Sequence, residues 1–170
     1  EETFTVEVGT KWDLLRQRLS LTAAVFHTDK SNARTPGVNP GDPPQVLAGV
    51  QTVDGFELGA FGSVGTRLTL FAGYAHMWSE IEASNTVGET GNALTQTPEH
   101  TFNLWLTGRV TKAMTLGGGV QYMDSVYRNT LNTLEAPSYW LLNATAAYAI
   151  NQKLTLRMNA YNLADEDYVD

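Results

Sequence analysis

The sequence predicts an all-β fold, an antiparallel up-and-down transmembrane β-barrel of about eight strands, and three observations predict it. Apolar and polar residues alternate with a period close to 2 along most of the 170 residues, which lines up side chains on the two faces of a strand and scatters them around a helix. Short and long connections alternate strictly, as in a meander with tight turns on one side of a membrane and extended loops on the other. One face of nearly every alternating segment carries almost no charge.

The elements follow in order. Residues 4–14 set Phe4, Val6, Val8 and Trp12 against Thr5, Glu7, Gly9, Lys11 and Asp13, and residues 19–25 set Leu19, Leu21, Ala23 and Val25 against Ser20, Thr22 and Ala24. Residues 53–64 place Phe56, Leu58 and Ala60 opposite Gly55, Glu57 and Gly59. Residues 68–78 are mixed, with Leu68, Leu70, Tyr74 and Trp78 on one face and Phe71 and Met77 on the other. The alternation is clean over 101–110, 114–122, 140–150 and 153–163. In the last segment Leu154, Leu156, Met158 and Ala160 oppose Thr155, Arg157, Asn159 and Tyr161. Tight turns are expected near residues 16, 65, 112 and 151, and long loops over 31–50, with four of the six prolines, over 84–100 and over 129–138. The whole of 1–170 reads as a single barrel segment.

The facing decides between a soluble and a membrane barrel. A soluble barrel shows charge outside, whereas here Thr, Asn, Gln, Ser and Gly share one face with scattered charges and the other is apolar. Aromatics gather near strand ends at Trp12, Trp78, Tyr122, Trp140 and Tyr148, as in the girdles of a barrel whose apolar band meets lipid. The net charge of −7, from 11 Lys and Arg against 18 Asp and Glu, disfavours nucleic acid as a partner, because such binding rests on clustered cations. Cysteine is absent, which removes disulfides and thiolate chemistry. No apolar run approaches the roughly 18 residues of a membrane helix, and with no basic-then-apolar leader any export signal is expected outside the chain.

These segments resemble the C-terminal barrel region of TonB-dependent outer-membrane siderophore receptors. The residues that carry the resemblance are Glu7-Val8-Gly9-Thr10-Lys11-Trp12, Val53-Asp54-Gly55-Phe56-Glu57-Leu58-Gly59, Phe71-Ala72-Gly73-Tyr74-Ala75, Thr97-Pro98-Glu99-His100-Thr101-Phe102-Asn103-Leu104-Trp105, and Asn159-Ala160-Tyr161-Asn162-Leu163-Ala164-Asp165-Glu166-Asp167-Tyr168. The Thr-Pro-Glu-His stretch looks most like the branch that handles catecholate siderophores. The resemblance implies a bacterial outer-membrane location and TonB-dependent uptake of a ferric siderophore. Its implied partners are outer-membrane lipid, the ferric siderophore, and the TonB complex through a plug domain. Iron enters only as the siderophore's cargo, with no resident cofactor. Members have a plug, a 22-stranded barrel and a last strand ending in an aromatic residue; the chain is accordingly expected to be a piece of such a receptor, lacking the plug and that final strand.

The candidate ligand residues lie on the polar face and in the loops. Trp105, Arg109, Gln121, Arg157 and Tyr161 point inward by alternation, and Tyr127 and Arg128 head the third long loop. Arginine and aromatic groups suit an anionic, aromatic ferric chelate by charge and stacking. The competing reading has the inward charges pairing with a plug or with one another. No catalytic site is expected, since no G-x-S-x-G turn exposes a nucleophile. His27, His76 and His100 lack metal-ligand spacing, and His76 reads as an interfacial histidine. Asp165, Glu166, Asp167 and Asp170 read as a solvated loop, without the glycine and bidentate glutamate of a calcium loop. The alternative to a receptor is a stand-alone eight-stranded outer-membrane barrel with a structural or binding role, closed by pairing the first strand with the last.

Overall fold

The computed structural model describes residues 1–168. Among the described residues ten strands follow in chain order: β1 (Glu2–Leu14), β2 (Leu19–Pro36), β3 (Gln45–Val64), β4 (Leu68–Ala83), β5 (His100–Arg109), β6 (Met114–Met123), β7 (Val126–Tyr127), β8 (Glu135–Ala136), β9 (Tyr139–Ala149) and β10 (Thr155–Ala160). Eight of them form one sheet in the order β1-β2-β3-β4-β5-β6-β9-β10, every pair antiparallel, and β7 and β8 form a separate small hairpin. This is the expected meander. Among the described residues no ladder joins β1 to β10, so the sheet is open at both edges and the small closed barrel is not formed.

Two expectations are corrected at the strand ends. The first long loop is shorter than residues 31–50, because β2 and β3 run on as a ladder to the pair Pro36 and Gln45. Pro36 fits there because the ladder ends with it, where its missing N–H costs nothing. The last strand stops at Ala160 and not at 163. The ladder with β9 ends at the pair Ala160 and Ala144, and two residues on the chain turns at Asn162, whose backbone is left-handed with φ 48°. Leu163 still donates its N–H to the Leu142 carbonyl, 2.8 Å, so the segment stays beside β9. Six residues of β10 are fewer than the 9–11 of a typical spanning strand.

The turns are those expected. Between β1 and β2, Leu15, Arg16 and Gln17 are all left-handed, and the Arg18 N–H donates to the Leu14 carbonyl at 3.1 Å. The β3–β4 turn uses Gly65 at φ 70°, where glycine carries no Cβ penalty.

The register sorts side chains into two continuous faces. Val8, Val25, Phe56 and His76 stand in one cross-strand row, and Leu70, Leu106, Gly118 and Ala144 in another, all on the apolar side. The mixed fourth strand resolves here. Leu68, Leu70, Tyr74 and Trp78 join the apolar face, while Phe71 lies on the polar face between Phe61 and Trp105. Its ring meets that of Phe61 edge-on at 6.5 Å.

A core is what this sheet lacks. Among the described residues the buried hydrophobic side chains are Ala33, Ile81 and Ala136, and no large side chain is fully buried. Phe4, Val8, Leu156 and Met158 are each at least 65% exposed. A water-soluble domain of this length buries well over half its unfolded surface around one core. Among the described residues no helix is long and apolar enough to cross a membrane, and the exposed large apolar side chains lie mostly on the strand faces.

Candidate functional site

The polar face is flattened by glycine. Gly55, Gly59, Gly73, Gly117 and Gly119 all lie on it, each beneath a neighbour's side chain. Phe26 covers Gly55, Thr22 covers Gly59, Asn103 covers Gly73, and the Trp105 indole lies across Gly119. A Cβ at Gly119 would also stand 2.6 Å from the Leu104 carbonyl oxygen. Covering a bare strand position with an aromatic ring restores packing lost to glycine. The Trp105 Nε1–H donates to Thr107 Oγ1 at 3.0 Å, which pins the ring flat. The outcome is a smoothed polar wall with aromatic surface from Phe26 and from the Phe61–Phe71–Trp105 row.

The seven candidate residues do not converge. Trp105 and Gln121 sit on the wall, in rows headed by Trp105–Gly119 and Asn103–Gln121. Arg109, Thr115, Ala147 and Arg157 share one row toward the turn end. At a strand spacing of about 4.8 Å the two arginine backbones are roughly 14 Å apart. Arg109 also borders a cavity of 440 Å³ with Arg18, Arg67 and the hydroxyls of Thr69 and Thr107, a cationic pocket at the turn end. Tyr127 and Arg128 lie at the opposite, loop end: the Tyr127 carbonyl accepts from the Gln96 N–H at 3.0 Å, and the Arg128 N–H donates to the Leu134 carbonyl at 2.7 Å. Tyr161 falls one residue beyond β10 and is 75% exposed. Of the acidic group, Asp165, Glu166 and Asp167 are exposed, and Asp170 lies outside the described residues. The Glu166 N–H donates to Asn162 Oδ1 at 2.9 Å, a local turn bond that leaves the carboxylates facing solvent.

The loop end is acidic, which sequence reading did not foresee. A cavity of 430 Å³ there is bordered by Asp54, Glu80, Glu82, Glu99 and Asp124, with Trp78 and Tyr127 as its aromatic walls. The two long loops beside it are stitched together. Asn132 Nδ2 donates to the Ala93 carbonyl at 3.0 Å while its Oδ1 accepts from the Ala93 N–H at 2.8 Å, and Asn92 Nδ2 donates to the Thr130 carbonyl at 2.8 Å. Glu89 ties the same pair of loops, accepting from Thr130 Oγ1 at 2.6 Å and from the Ser84 hydroxyl.

Glu89 makes this junction pH-dependent. Burial pushes its carboxyl up, but hydrogen bonds from Ser84, Thr130 and Thr86 together outweigh burial and hold it below its ordinary value of 4.5. A lowered folded value means stability fully present above the ordinary value and lost as pH falls through the folded one. Glu89→Gln should loosen the loop junction by on the order of 1 kcal/mol at neutral pH, below the usual worth of charged hydrogen bonds because the site is partly hydrated. Amide exchange at Asn92 and Ala93 in the full-length protein should speed about fivefold in the variant and lose its acid dependence. Equal exchange in the two proteins at neutral pH would contradict the role assigned to Glu89.

Comparison with known proteins gives a consistent result. A family model described as TonB dependent receptor-like, beta-barrel matches residues 1–163. The probable TonB-dependent siderophore receptor PiuA of Acinetobacter baumannii is 36% identical over 99% of this chain and 24% of its own length. The catecholate siderophore receptor Fiu of Escherichia coli K12 is 33% identical over 97% of this chain and 22% of its own. The crystal structure of PiuA superposes with a TM-score of 0.89 over 98% of this chain and 25% of that one, and the closed form of Fiu with 0.84 over 98% and 24%. The chain thus spans about a quarter of the length of these relatives.

Proposed function

Because the chain belongs to the TonB-dependent receptor β-barrel family, we propose that it forms part of the wall of an outer-membrane receptor that takes up a ferric siderophore. The observation that carries this reading is the exposed, charge-poor face that runs across all eight strands of a sheet with no core. Such a face is stable only against lipid, and the unpaired edges of β1 and β10 are stable in lipid only when further strands continue them. Residues 1–170 therefore act as one segment of a wider barrel, with outer-membrane lipid on one side and a water-filled lumen on the other.

The remaining assignments follow from that orientation. Tyr127 and Arg128, at the loop end, meet an incoming chelate first, and Trp105 and Gln121 line its path. Arg109 and Arg157, deep toward the turns, hold anionic groups of the ligand or of a plug. Iron passes as the siderophore's cargo, and energy arrives from the TonB complex through a plug. The relatives named above are called siderophore receptors, which supports transport over catalysis.

The test is uptake of radiolabelled ferric siderophores by iron-starved cells that carry the full-length protein as their sole receptor of this kind. Accumulation that disappears when TonB is deleted is expected, and Arg128→Ala should weaken binding several-fold, in the range of about 1 kcal/mol for a partly exposed charged contact. Absence of uptake across catecholate, hydroxamate and carboxylate chelates would refute the proposal.

A further inference from the structure

The β4–β5 register brings together three groups that lie apart in sequence. His76 stands directly opposite His100 on the apolar face, and Glu99 precedes His100 where the long loop returns to the sheet. The two imidazoles stack at 4.3 Å, 20° from parallel. A nitrogen of each ring and a Glu99 carboxylate oxygen all lie within 4.8 Å of one another. Glu99 Oε1 is 4.0 Å from His76 Nε2 and 3.8 Å from His100 Nε2.

We propose that His76, His100 and Glu99 form a three-ligand site for a borderline transition-metal ion such as Zn²⁺, on the outward face of the barrel at its loop end. Two imidazoles and a carboxylate are a donor set suited to zinc, with one position left for water. Ligand atoms around tetrahedral zinc stand roughly 3.3 Å apart, from bond lengths of about 2.0–2.1 Å. The 3.8 and 4.0 Å separations close to that value by rotation of the exposed Glu99 side chain.

The surroundings orient both rings. The His76 Nδ1–H donates to the Glu99 carbonyl, 3.1 Å, so the His76 Nε2 lone pair is free to face the Glu99 carboxylate. A backbone carbonyl on the second ring nitrogen is the common way to fix a ligating histidine. Tyr74 Oη and His76 Nδ1 both lie within hydrogen-bond distance of His100 Nδ1, at 2.8 and 3.0 Å. When His100 coordinates through Nε2, its proton moves to Nδ1 and the Tyr74 hydroxyl turns to accept it, while the His76 Nδ1–H bonds the Glu99 carbonyl alone and rotation of the half-buried His100 ring separates the two Nδ1–H groups. His76 is buried, with the Trp78 ring edge-on at 3.8 Å and the Phe56 ring at 5.5 Å. The His76 side of the site is thus dry and aromatic-walled, while the Glu99 and His100 side opens to water, from which a fourth ligand can come. The ion would clamp the end of the 84–99 loop to β4. It would sit outside the barrel, away from the lumen and from any cargo iron.

The experiment uses the full-length protein, free of any histidine tag, in detergent and stripped of metal. Zn²⁺ binding is measured by competition with a chromogenic chelator, and Co²⁺ is added as a spectroscopic probe. Wild type should bind one Zn²⁺ more than Glu99→Gln, which is isosteric and on the surface. His100→Gln should likewise lose that site. Tyr74→Phe should keep the site but bind about tenfold more weakly, the usual cost of losing an orienting partner. The Co²⁺ absorption of wild type should lose its tetrahedral nitrogen–oxygen component in Glu99→Gln. Ferric-siderophore uptake should be unchanged in that variant, so a failed metal site and a failed transport reading are told apart. Equal Zn²⁺ stoichiometry and affinity in wild type, Glu99→Gln and His100→Gln would overturn the proposal.

Discussion

Gly62→Ala is expected to stop the barrel from assembling, at a cost of about 4 kcal/mol or more, the sum of backbone strain and overpacking. Gly62 lies in β3 opposite Leu19 and Leu70, with φ 147°, a conformation that L side chains rarely adopt. The chain is drawn in tightly there, since the Ser63 N–H donates to the Arg18 carbonyl at 2.6 Å. A Cβ at Gly62 would strike the Arg18 carbonyl oxygen and stand 2.7 Å from Leu19 Cα and 2.9 Å from the Arg18 carbonyl carbon. Each of these is backbone, so no side-chain rotation relieves the contact. Gly118 provides the control. It shares a cross-strand row with Leu106 and Ala144, yet a Cβ there would find its nearest atom, the Asn143 carbonyl oxygen, at 3.6 Å. Gly118→Ala should therefore assemble normally. The check is the fraction of full-length protein that runs as the compact form on unheated SDS gels, together with its urea midpoint. Equal assembly of the two variants would rule out the close approach at Gly62.

The strand interiors and the turns were legible because they depend on local rules. A period of 2 fixes which residues share a face, and a tight turn fixes its register within a few residues. Where the sequence misled, a longer-range feature decided. Residues 31–36 and 45–50 look like loop because of the four prolines between 36 and 44, yet they pair because β2 and β3 extend beyond the apolar band, where the period-2 pattern fades. Residues 161–163 keep the alternation of a strand, yet the ladder stops at Ala160 and the chain turns at the left-handed Asn162.

The candidate site was less legible, for the same reason. Placement of Trp105, Arg109, Gln121 and Arg157 on the polar face follows from parity. Their separation along the strands does not, because it depends on how the eight registers stagger. The pairing of His76 with His100 required knowing that a loop of sixteen residues, 84–99, returns the chain opposite His76, well before the end of β4 at Ala83. The usable signal was that both histidines have the parity of the apolar face and flank the same loop. Acidity at the loop end was likewise visible only after the loops had been folded over one another, which brings Glu80, Asp124 and Glu99 to one cavity.

Leu106→Lys should cost about 2–4 kcal/mol in a bilayer, the range for a lysine near the midplane of a barrel's lipid face. Leu106 stands between Leu70 and Gly118 on the apolar face, past the middle of β5 toward the turns, with Phe102 and Tyr122 above it toward the loops. The aromatic positions mark the depth. Trp78, Tyr122 and Trp140 lie toward the loop end and Trp12 and Tyr148 toward the turns, which leaves Leu106 between the two girdles. Leu156 faces the same way but pairs with Tyr148, inside the turn-side girdle. A lysine there reaches the headgroups and should cost about 1 kcal/mol or less. Gln121→Lys tests the other face: it is exposed, polar and lumenal by parity, so its substitution should change stability by no more than about 0.5 kcal/mol. The measurement is reversible urea unfolding of the full-length protein from phospholipid vesicles. The expected order of cost is Leu106→Lys, then Leu156→Lys, then Gln121→Lys. A water-filled space on the Leu106 side would reverse that order, because the lysine at residue 121 and not the one at 106 would then be the charge forced into hydrocarbon.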